Sequence, residues 1–383
     1  MTRTDAITIR EAIPWYIWCA LLASATVQVG VHWDIAWHRS IGRDTFWSPP
    51  HIAIYLAAVL AALASGSQIL ATTFGGLAER RERAVSVLGF RGPLGAFITA
   101  WGGIAMLTSA PFDDWWHNAY GLDVKILSPP HIVLAVGIFA INLGALIFVL
   151  GRQSGADPRS RRRLAALSFY AGGIIIVALL TLVMEHTVRI FMHGAAFYAI
   201  VAAVVPAILT AISRTTGHRR AATITAAIYS VFLLALLWLM PMVPAEPKLG
   251  PVTVRVTHLI PPEFPLLLIV PAFALDLLWT RTAGWTRAQL AVATGAVFAA
   301  VFVVVQWPFA TFLMSPEARN YFFGAKYFNY NTPLDAYYIQ HRFLPHATTV
   351  AAFIGGTAKV LAMAVASSWI GLAWGDWMRR LRR

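Results

Sequence analysis

The chain of 383 residues alternates between long hydrophobic stretches and short polar connections. A run of about 20 predominantly apolar residues is long enough to cross a bilayer as a helix. Ten stretches fit this pattern, near residues 13–31, 51–73, 92–111, 130–151, 164–184, 194–213, 221–242, 264–281, 288–314 and 346–373. The pattern predicts an all-α polytopic membrane bundle, with about ten transmembrane helices arranged as five hairpins.

The composition supports one integral membrane domain over residues 1–383. The chain is 58% hydrophobic and only 12% charged, and its mean hydropathy is +0.65. These values favour a lipid bilayer as the environment. The single cysteine, Cys19, excludes a disulfide framework and a cysteine-based metal site within one chain.

The charge of +13 is distributed unevenly along the chain. If the N terminus is placed inside, the inner segments carry twenty of the thirty Lys and Arg residues but only six of the seventeen Asp and Glu residues. This is the bias that places basic segments in the cytoplasm. It predicts cytoplasmic termini and a bacterial-type inner (plasma) membrane location, and it accounts for the basic charge without a nucleic-acid partner.

The histidines sort to the other side of the predicted bundle. Of the eleven histidines, only His218 falls in an inner connection. The others fall within or beside the five outer connections, near residues 32–50, 112–129, 185–193, 243–263 and 314–345. The sequence therefore predicts that the chemistry lies on the extracytoplasmic side.

Two of these connections repeat one motif, within the first four predicted helices (13–151). In each, an Asp is followed by a His four positions later and by a second His directly after a Ser-Pro-Pro helix-start signal. Residues four apart share a helix face, and two imidazoles with a carboxylate suit a transition metal. The candidate metal ligands are Asp34, His38 and His51 in the first motif, and Asp113, His117 and His131 in the second.

Other acidic residues accompany the motifs. Asp44 and Asp123 each follow the first His of a motif by six positions, so they are candidate acceptors for imidazole N–H groups. Plain loop polarity explains them equally well. Asp114 adjoins Asp113, so either carboxylate could be the ligand while the other supports it.

The later hairpins, over residues 164–373, have no assigned role, but they contain two charged residues within predicted helices. Asp276 and Lys359 each lie thirteen residues beyond the outer start of a span, which predicts equal depth and an intramembrane ion pair. That pair could be structural or could serve a proton or ion step. The remaining polar candidates could mark the interface, support a metal, bind another metal or relay protons: His186, His193, His258, Glu263, His341 and His346.

Residues 15–150 resemble the C subunit of the copper membrane monooxygenases, the particulate methane and ammonia monooxygenases. That family carries an Asp, a His four later and a His thirteen after that, as do Asp34, His38 and His51. Its second site has an Asn followed by two histidines at the spacing of His117 and His131. The stretch RDTFWSPPHIAIY, residues 43–55, is also similar to the family sequence around its second His.

The resemblance implies copper, activation of O2 and hydroxylation of a small apolar or ammonia-like substrate, and therefore an enzyme that works with partner subunits. This chain departs from the family in its greater length and in Asp113, which stands where the family has Asn. The ligand types also suit iron or zinc. A metal- or proton-coupled transporter, a haem electron carrier with two axial histidines, and a homo-oligomer remain alternatives.

Overall fold

The structure, a computed structural model, describes residues 13–42, 44–75, 84–121, 128–153, 156–248, 256–324 and 349–381. Within these ranges the chain forms ten α-helices and one two-stranded hairpin, β1 (Val85–Val87) and β2 (Phe90–Gly92). The helices are α1 (Trp15–Ser40), α2 (Pro49–Phe74), α3 (Leu94–Tyr120), α4 (Pro129–Gly151), α5 (Pro158–Leu182), α6 (Ala195–Thr216), α7 (Ala221–Leu239), α8 (Ile269–Trp279), α9 (Arg287–Met314) and α10 (Val350–Leu381). The predicted all-helical membrane architecture is confirmed at this level.

Eight of these helices are long and apolar enough to cross a bilayer. The two that fall short are α1 and α8. Helix α1 has 26 residues, but Gln28, His32 and Asp34 lower its hydropathy. Helix α8 has only 11 residues. The described residues therefore support a polytopic helical protein, whereas the predicted count of ten spans is not confirmed.

The Ser-Pro-Pro sequences begin helices as predicted. Helix α2 starts at Pro49 and α4 at Pro129, so each following histidine lies in the first turn of its helix. The serines that precede the two helices differ in their hydrogen bonds. Ser128 accepts a hydrogen bond from the backbone N–H of His131 (3.4 Å), whereas Ser48 forms no side-chain cap.

Ring contacts and hydrogen bonds show how the helices alternate in direction. Tyr16 at the start of α1 contacts Phe148 at the end of α4, and His32 in the second half of α1 contacts Thr181 at the end of α5. One end of the bundle therefore carries most of the described histidines, and we call it the histidine end. It contains His32, His38, His51, His117, His131, His186, His193 and His258, whereas His218 lies at the opposite end. His341 and His346 lie outside the described residues.

Glycines allow α3 and α4 to pack closely. A Cβ atom on Gly102 would lie 2.8 Å from the carbonyl oxygen of Gly137, and a Cβ atom on Gly137 would meet the same oxygen of Gly102 at 2.8 Å. Small residues at such crossings let membrane helices approach at backbone distance. This contact fixes α4 beside α3, so the first turn of α4 lies next to the last turns of α3.

The segment before α8 is extended and partly buried instead of helical. Its backbone N–H groups at Ile260, Leu266 and Leu267 donate to side chains on three different helices. The acceptors are Ser40 Oγ (2.7 Å), Tyr229 Oη (3.1 Å) and Gln306 Oε1 (3.0 Å). Because non-helical backbone inside a bundle needs such partners, this segment replaces the first five residues of the predicted span 264–281.

The predicted ion pair between Asp276 and Lys359 is wrong. Asp276 is buried and accepts hydrogen bonds from the backbone N–H groups of Ala222 and Thr223, at the start of α7. Lys359 is exposed on α10. Asp376, near the end of α10, marks the end of the bundle where Asp276 lies. Lys359 precedes Asp376 by 17 residues, which is about 25 Å along the helix. The two charges are therefore at different depths.

Candidate metal centre

The first motif converges through a helix end, a loop and a helix start. Asp34 and His38 lie one turn apart near the end of α1, Asp44 lies in the connection, and His51 lies in the first turn of α2. Tyr55, one turn further along α2, donates a hydrogen bond to the carbonyl oxygen of Phe46 (3.0 Å) and so holds the connection against the helix. We call Asp34, His38, Asp44 and His51 set one.

The side chains of set one face each other. The Nε2 atom of His38 lies 3.7 Å from Asp34 Oδ2 and 3.6 Å from Asp44 Oδ2. The Nε2 atom of His51 lies 3.4 Å from Asp34 Oδ1 and 2.7 Å from Asp44 Oδ2. Candidate ligand atoms of Asp34, His38 and Asp44 all lie within 4.8 Å of one another. The structure thus brings the three predicted residues of the first motif together and adds Asp44.

The second motif forms a matching group, which we call set two. The carboxylate of Asp113 on α3 lies between two imidazoles, 3.3 Å from Nε2 of His117 and 3.4 Å from Nε2 of His131. Asp114 contacts a different side chain, since its carboxylate oxygen lies 3.4 Å from Nδ2 of Asn118. Of the two predicted carboxylates, Asp113 therefore contacts the histidines. Asp123 lies outside the described residues.

Both sets open into one cavity. It has a volume of about 450 Å³ and lies between the ends of α1 and α3 and the starts of α2 and α4. Asp34, His51, Asp113 and His131 all line it. The side of the cavity nearer the bundle interior is apolar and is formed by Ile54, Met106 and Leu134. The two sets are therefore parts of one site with a polar rim and an apolar floor.

Most distances between imidazole nitrogens and carboxylate oxygens in the sets are longer than direct hydrogen bonds and match the distances between two ligand atoms on one metal ion. Five of the six imidazole–carboxylate distances are between 3.3 and 3.7 Å. Charge-assisted N–H···O bonds are shorter, at about 2.7–2.9 Å. Two ligands bound at about 2.1 Å to a tetrahedral ion lie about 3.4 Å apart. The exception is the contact of 2.7 Å between His51 and Asp44, which is an ordinary hydrogen bond.

Buried carboxylate oxygens in both sets support the same interpretation. Asp34 Oδ1 and Asp113 Oδ1 are buried and accept no hydrogen bond among the described residues. Each lies 3.4 Å from the Nε2 atom of a histidine, His51 or His131, but a buried charged oxygen that accepts no hydrogen bond is costly. A cation bound in the cavity would remove that cost at both positions, so the residues present fit a metal with mixed nitrogen and oxygen ligands.

Asp44 differs electrostatically from an ordinary loop carboxylate. Burial alone would raise its pKa, but the hydrogen bond from His51, the close approach of His38 and the positive charge of both imidazoles outweigh burial and lower the pKa. Asp44 is therefore ionised across the neutral range. The sequence predicts Asp44 only as an acceptor for imidazole N–H groups. The one signal for it is its spacing of six positions after His38, which Asp123 repeats after His117.

Among the described residues, the other predicted polar side chains do not join either set. His186 is exposed, and His193 contacts Thr311 Oγ1 (3.0 Å). Glu263 accepts a hydrogen bond from the backbone N–H of Arg189 (3.1 Å). Burial raises the pKa of Glu263, and the charge of Arg189 partly opposes this. These residues lie away from the cavity that the two sets share.

Comparison of the chain with protein families, with curated proteins and with solved structures finds no match. The similarity to the copper membrane monooxygenases therefore rests on the motif residues, their spacing and the local stretch over residues 43–55.

Proposed function

We propose that the shared cavity is the active site of a membrane-bound, metal-dependent oxygenase. Set one would hold one ion through Asp34, His38 and His51, with Asp44 as a further ligand or as an acceptor for His51. Set two would hold a second through Asp113, His117 and His131. The observation that carries this proposal is that two carboxylate–imidazole groups, each with a buried carboxylate oxygen that accepts no hydrogen bond, face one cavity.

Copper is the metal that the family resemblance implies, and iron or zinc would also suit these ligands. When bound, a redox-active metal such as copper supplies the activation of O2. The residues of the chain supply the rest. Ile54, Met106 and Leu134 line an apolar floor that suits a small apolar or ammonia-like substrate and excludes water from it. The hydrogen bond from Nε2 of His51 to Asp44 holds that imidazole at the cavity in the metal-free protein, and Nε2 would have to give up this bond to bind a metal.

The metal content of purified protein tests this proposal. Elemental analysis should find copper, and His38→Ala and His117→Ala should each lower the content while the helical circular dichroism is retained. His186→Ala is the matched control, because it removes an exposed imidazole from the histidine end without touching the cavity. Normal metal content in both cavity variants would contradict the site. A Soret band in the optical spectrum would instead favour the haem alternative.

The oxygenase activity needs its own measurement. Copper-loaded protein in lipid vesicles, supplied with a reductant, should consume O2 faster when ammonia or a short alkane is added, and His117→Ala should abolish that increase. If copper binds but O2 consumption does not depend on these substrates, the metal site would stand and oxygenase activity on ammonia or short alkanes would be excluded.

A transporter is the second candidate, because the segment before α8 is a discontinuous element of the bundle. Broken helices often form substrate sites in transporters. Here the extended segment carries Glu263, which lies 3.6 Å from the buried guanidinium of Arg189. Uptake of copper or protons into vesicles that contain the protein would favour this function. In that case Glu263→Gln should stop uptake, whereas the oxygenase proposal expects it to leave the metal content unchanged.

A further inference from the structure

A group of charges joins three helices at the end of the bundle opposite the histidines. The carboxylate of Asp376 on α10 accepts hydrogen bonds from Arg214 near the end of α6 (2.7 Å) and from Arg287 at the start of α9 (2.9 Å). Arg379, one turn further along α10, lies 3.9 Å from the same carboxylate. Three guanidiniums share one carboxylate, so these four side chains carry a net charge of +2. We call this group the arginine cluster.

Close helix packing fixes the position of the cluster. Gly371 and Gly375, four residues apart on α10, face α6. A Cβ atom on Gly371 would clash with the carbonyl oxygen of Ala207, and one on Gly375 would lie 2.6 Å from Cβ of Arg214. Such a pair of small residues lets two membrane helices approach closely. Asp376 is therefore held beside Arg214 by backbone packing.

The donors of the cluster exceed its acceptors. Each guanidinium has five N–H donors, and Asp376 offers two oxygens. The side chains of Arg214, Arg287 and Arg379 remain 38%, 45% and 45% exposed, so a ligand at the surface can reach them. Guanidinium groups bind phosphate oxygens through paired hydrogen bonds. The chemistry of the cluster is therefore that of a site for a phosphate-bearing anion.

Exposed apolar side chains lie beside the arginine cluster. The guanidinium of Arg287 lies 5.8 Å from the centre of the Trp369 ring. Trp369 and Ile370 are exposed on α10, about 10 Å before Asp376 along the helix. Trp285 is also exposed near the start of α9. Tryptophans at this level are typical of a membrane interface, so a molecule bound here would contact both cations and an apolar surface.

We propose that the arginine cluster binds the headgroup of an anionic phospholipid, with the acyl chains against Trp369 and Ile370. A free phosphate would use the arginines but not the apolar surface. The charge distribution of the sequence places this end in the cytoplasmic leaflet, where anionic lipids attract basic segments. The inference is independent of the metal site, because the cluster lies at the other end of the bundle.

The test is lipid binding to delipidated full-length protein, followed by native mass spectrometry, which counts lipids on folded molecules only. Phosphatidylglycerol should bind more tightly than phosphatidylcholine. The double variant Arg287→Gln/Arg379→Gln keeps the Arg214–Asp376 pair. It should weaken phosphatidylglycerol binding about 30-fold, because each arginine near the membrane surface contributes roughly a factor of five.

The matched control is Arg162→Gln/Arg163→Gln. These exposed arginines near the start of α5 lie at the same end of the bundle, outside the cluster. The control should bind phosphatidylglycerol as the wild type does. An equal loss in both double variants would overturn the proposal in favour of general surface charge, and so would equal binding of the two lipids. Displacement of the lipid by millimolar inorganic phosphate would show a site for the free anion instead.

Discussion

Set one and set two have almost the same sequence motif, and the described residues show different carboxylate contacts in the two sets. In set one, His51 contacts both Asp34 and Asp44. In set two, Asp113 is the one carboxylate that contacts His117 and His131 among the described residues. In set one the connection between the helices supplies Asp44. A motif can thus place its residues at helix ends, while a connection can add negative charge beside them.

The largest effect on metal binding is expected when set two loses the carboxylate of Asp113. Asp113→Ala should weaken metal binding at set two by more than about 100-fold, since loss of a direct ligand exceeds the 10- to 100-fold effect of a supporting partner. Equilibrium dialysis with elemental analysis measures this. Asp114→Ala is the matched control, because Asp114 faces Asn118, and it should bind metal as the wild type does. Equal losses in the two variants would refute the assignment of Asp113.

A smaller effect is expected when set one loses one of its two carboxylates. Asp44→Asn removes a charge but leaves Asp34 beside both histidines. Metal affinity at set one should fall about 10- to 100-fold, the range for a residue that supports the ligands. The same dialysis experiment measures it. Complete loss of the ion would show that Asp44 is indispensable and that the two sets do not differ as described.

Acid should act on set one through Asp44 in the metal-free protein. The pKa of Asp44 is lower in the folded protein than its unfolded value of about 3.9. Its contribution to stability is therefore present above about pH 4 and is lost as the pH falls toward the lower folded pKa. The melting temperature of the wild type should fall more steeply than that of Asp44→Asn between about pH 5 and 3. Parallel curves would contradict the lowered pKa.

The smallest difference concerns the serines before the two helices. Ser128→Ala should destabilise the protein by about 0.5 kcal/mol, because Ser128 caps α4 through a long hydrogen bond. Ser48→Ala should be close to neutral, because the buried hydroxyl of Ser48 forms no hydrogen bond among the described residues. Denaturant unfolding of both variants tests this pair. A larger loss of stability for Ser48→Ala than for Ser128→Ala would contradict this prediction.

Hydrophobic length and helix-start signals were sufficient to predict where most helices lie. The Ser-Pro-Pro sequences mark the starts of α2 and α4, and the starts place His51 and His131. The spacing of the motifs also predicts which three residues meet in each set. That the two sets bind a metal stays a prediction, since ligand types and distances do not identify an ion.

The sequence could not predict features that depend on distant partners. The segment before α8 is hydrophobic enough to read as a helix, but its backbone bonds to Ser40, Tyr229 and Gln306 favour an extended path. Asp276 was assigned to Lys359 from depth alone, whereas the start of α7 supplies its hydrogen bonds. Both outcomes depend on tertiary packing, which has no local sequence signal.

The described residues of each set come from two consecutive helices, α1 with α2 or α3 with α4, and Asp44 of set one comes from the connection between its two helices. Membrane proteins are synthesised from the N terminus, so the first pair is complete while most of the chain is still unmade. The ligands of set one need no later residue to meet each other. A cation could therefore be captured during biogenesis, and the order of synthesis would give set one the first opportunity to acquire it.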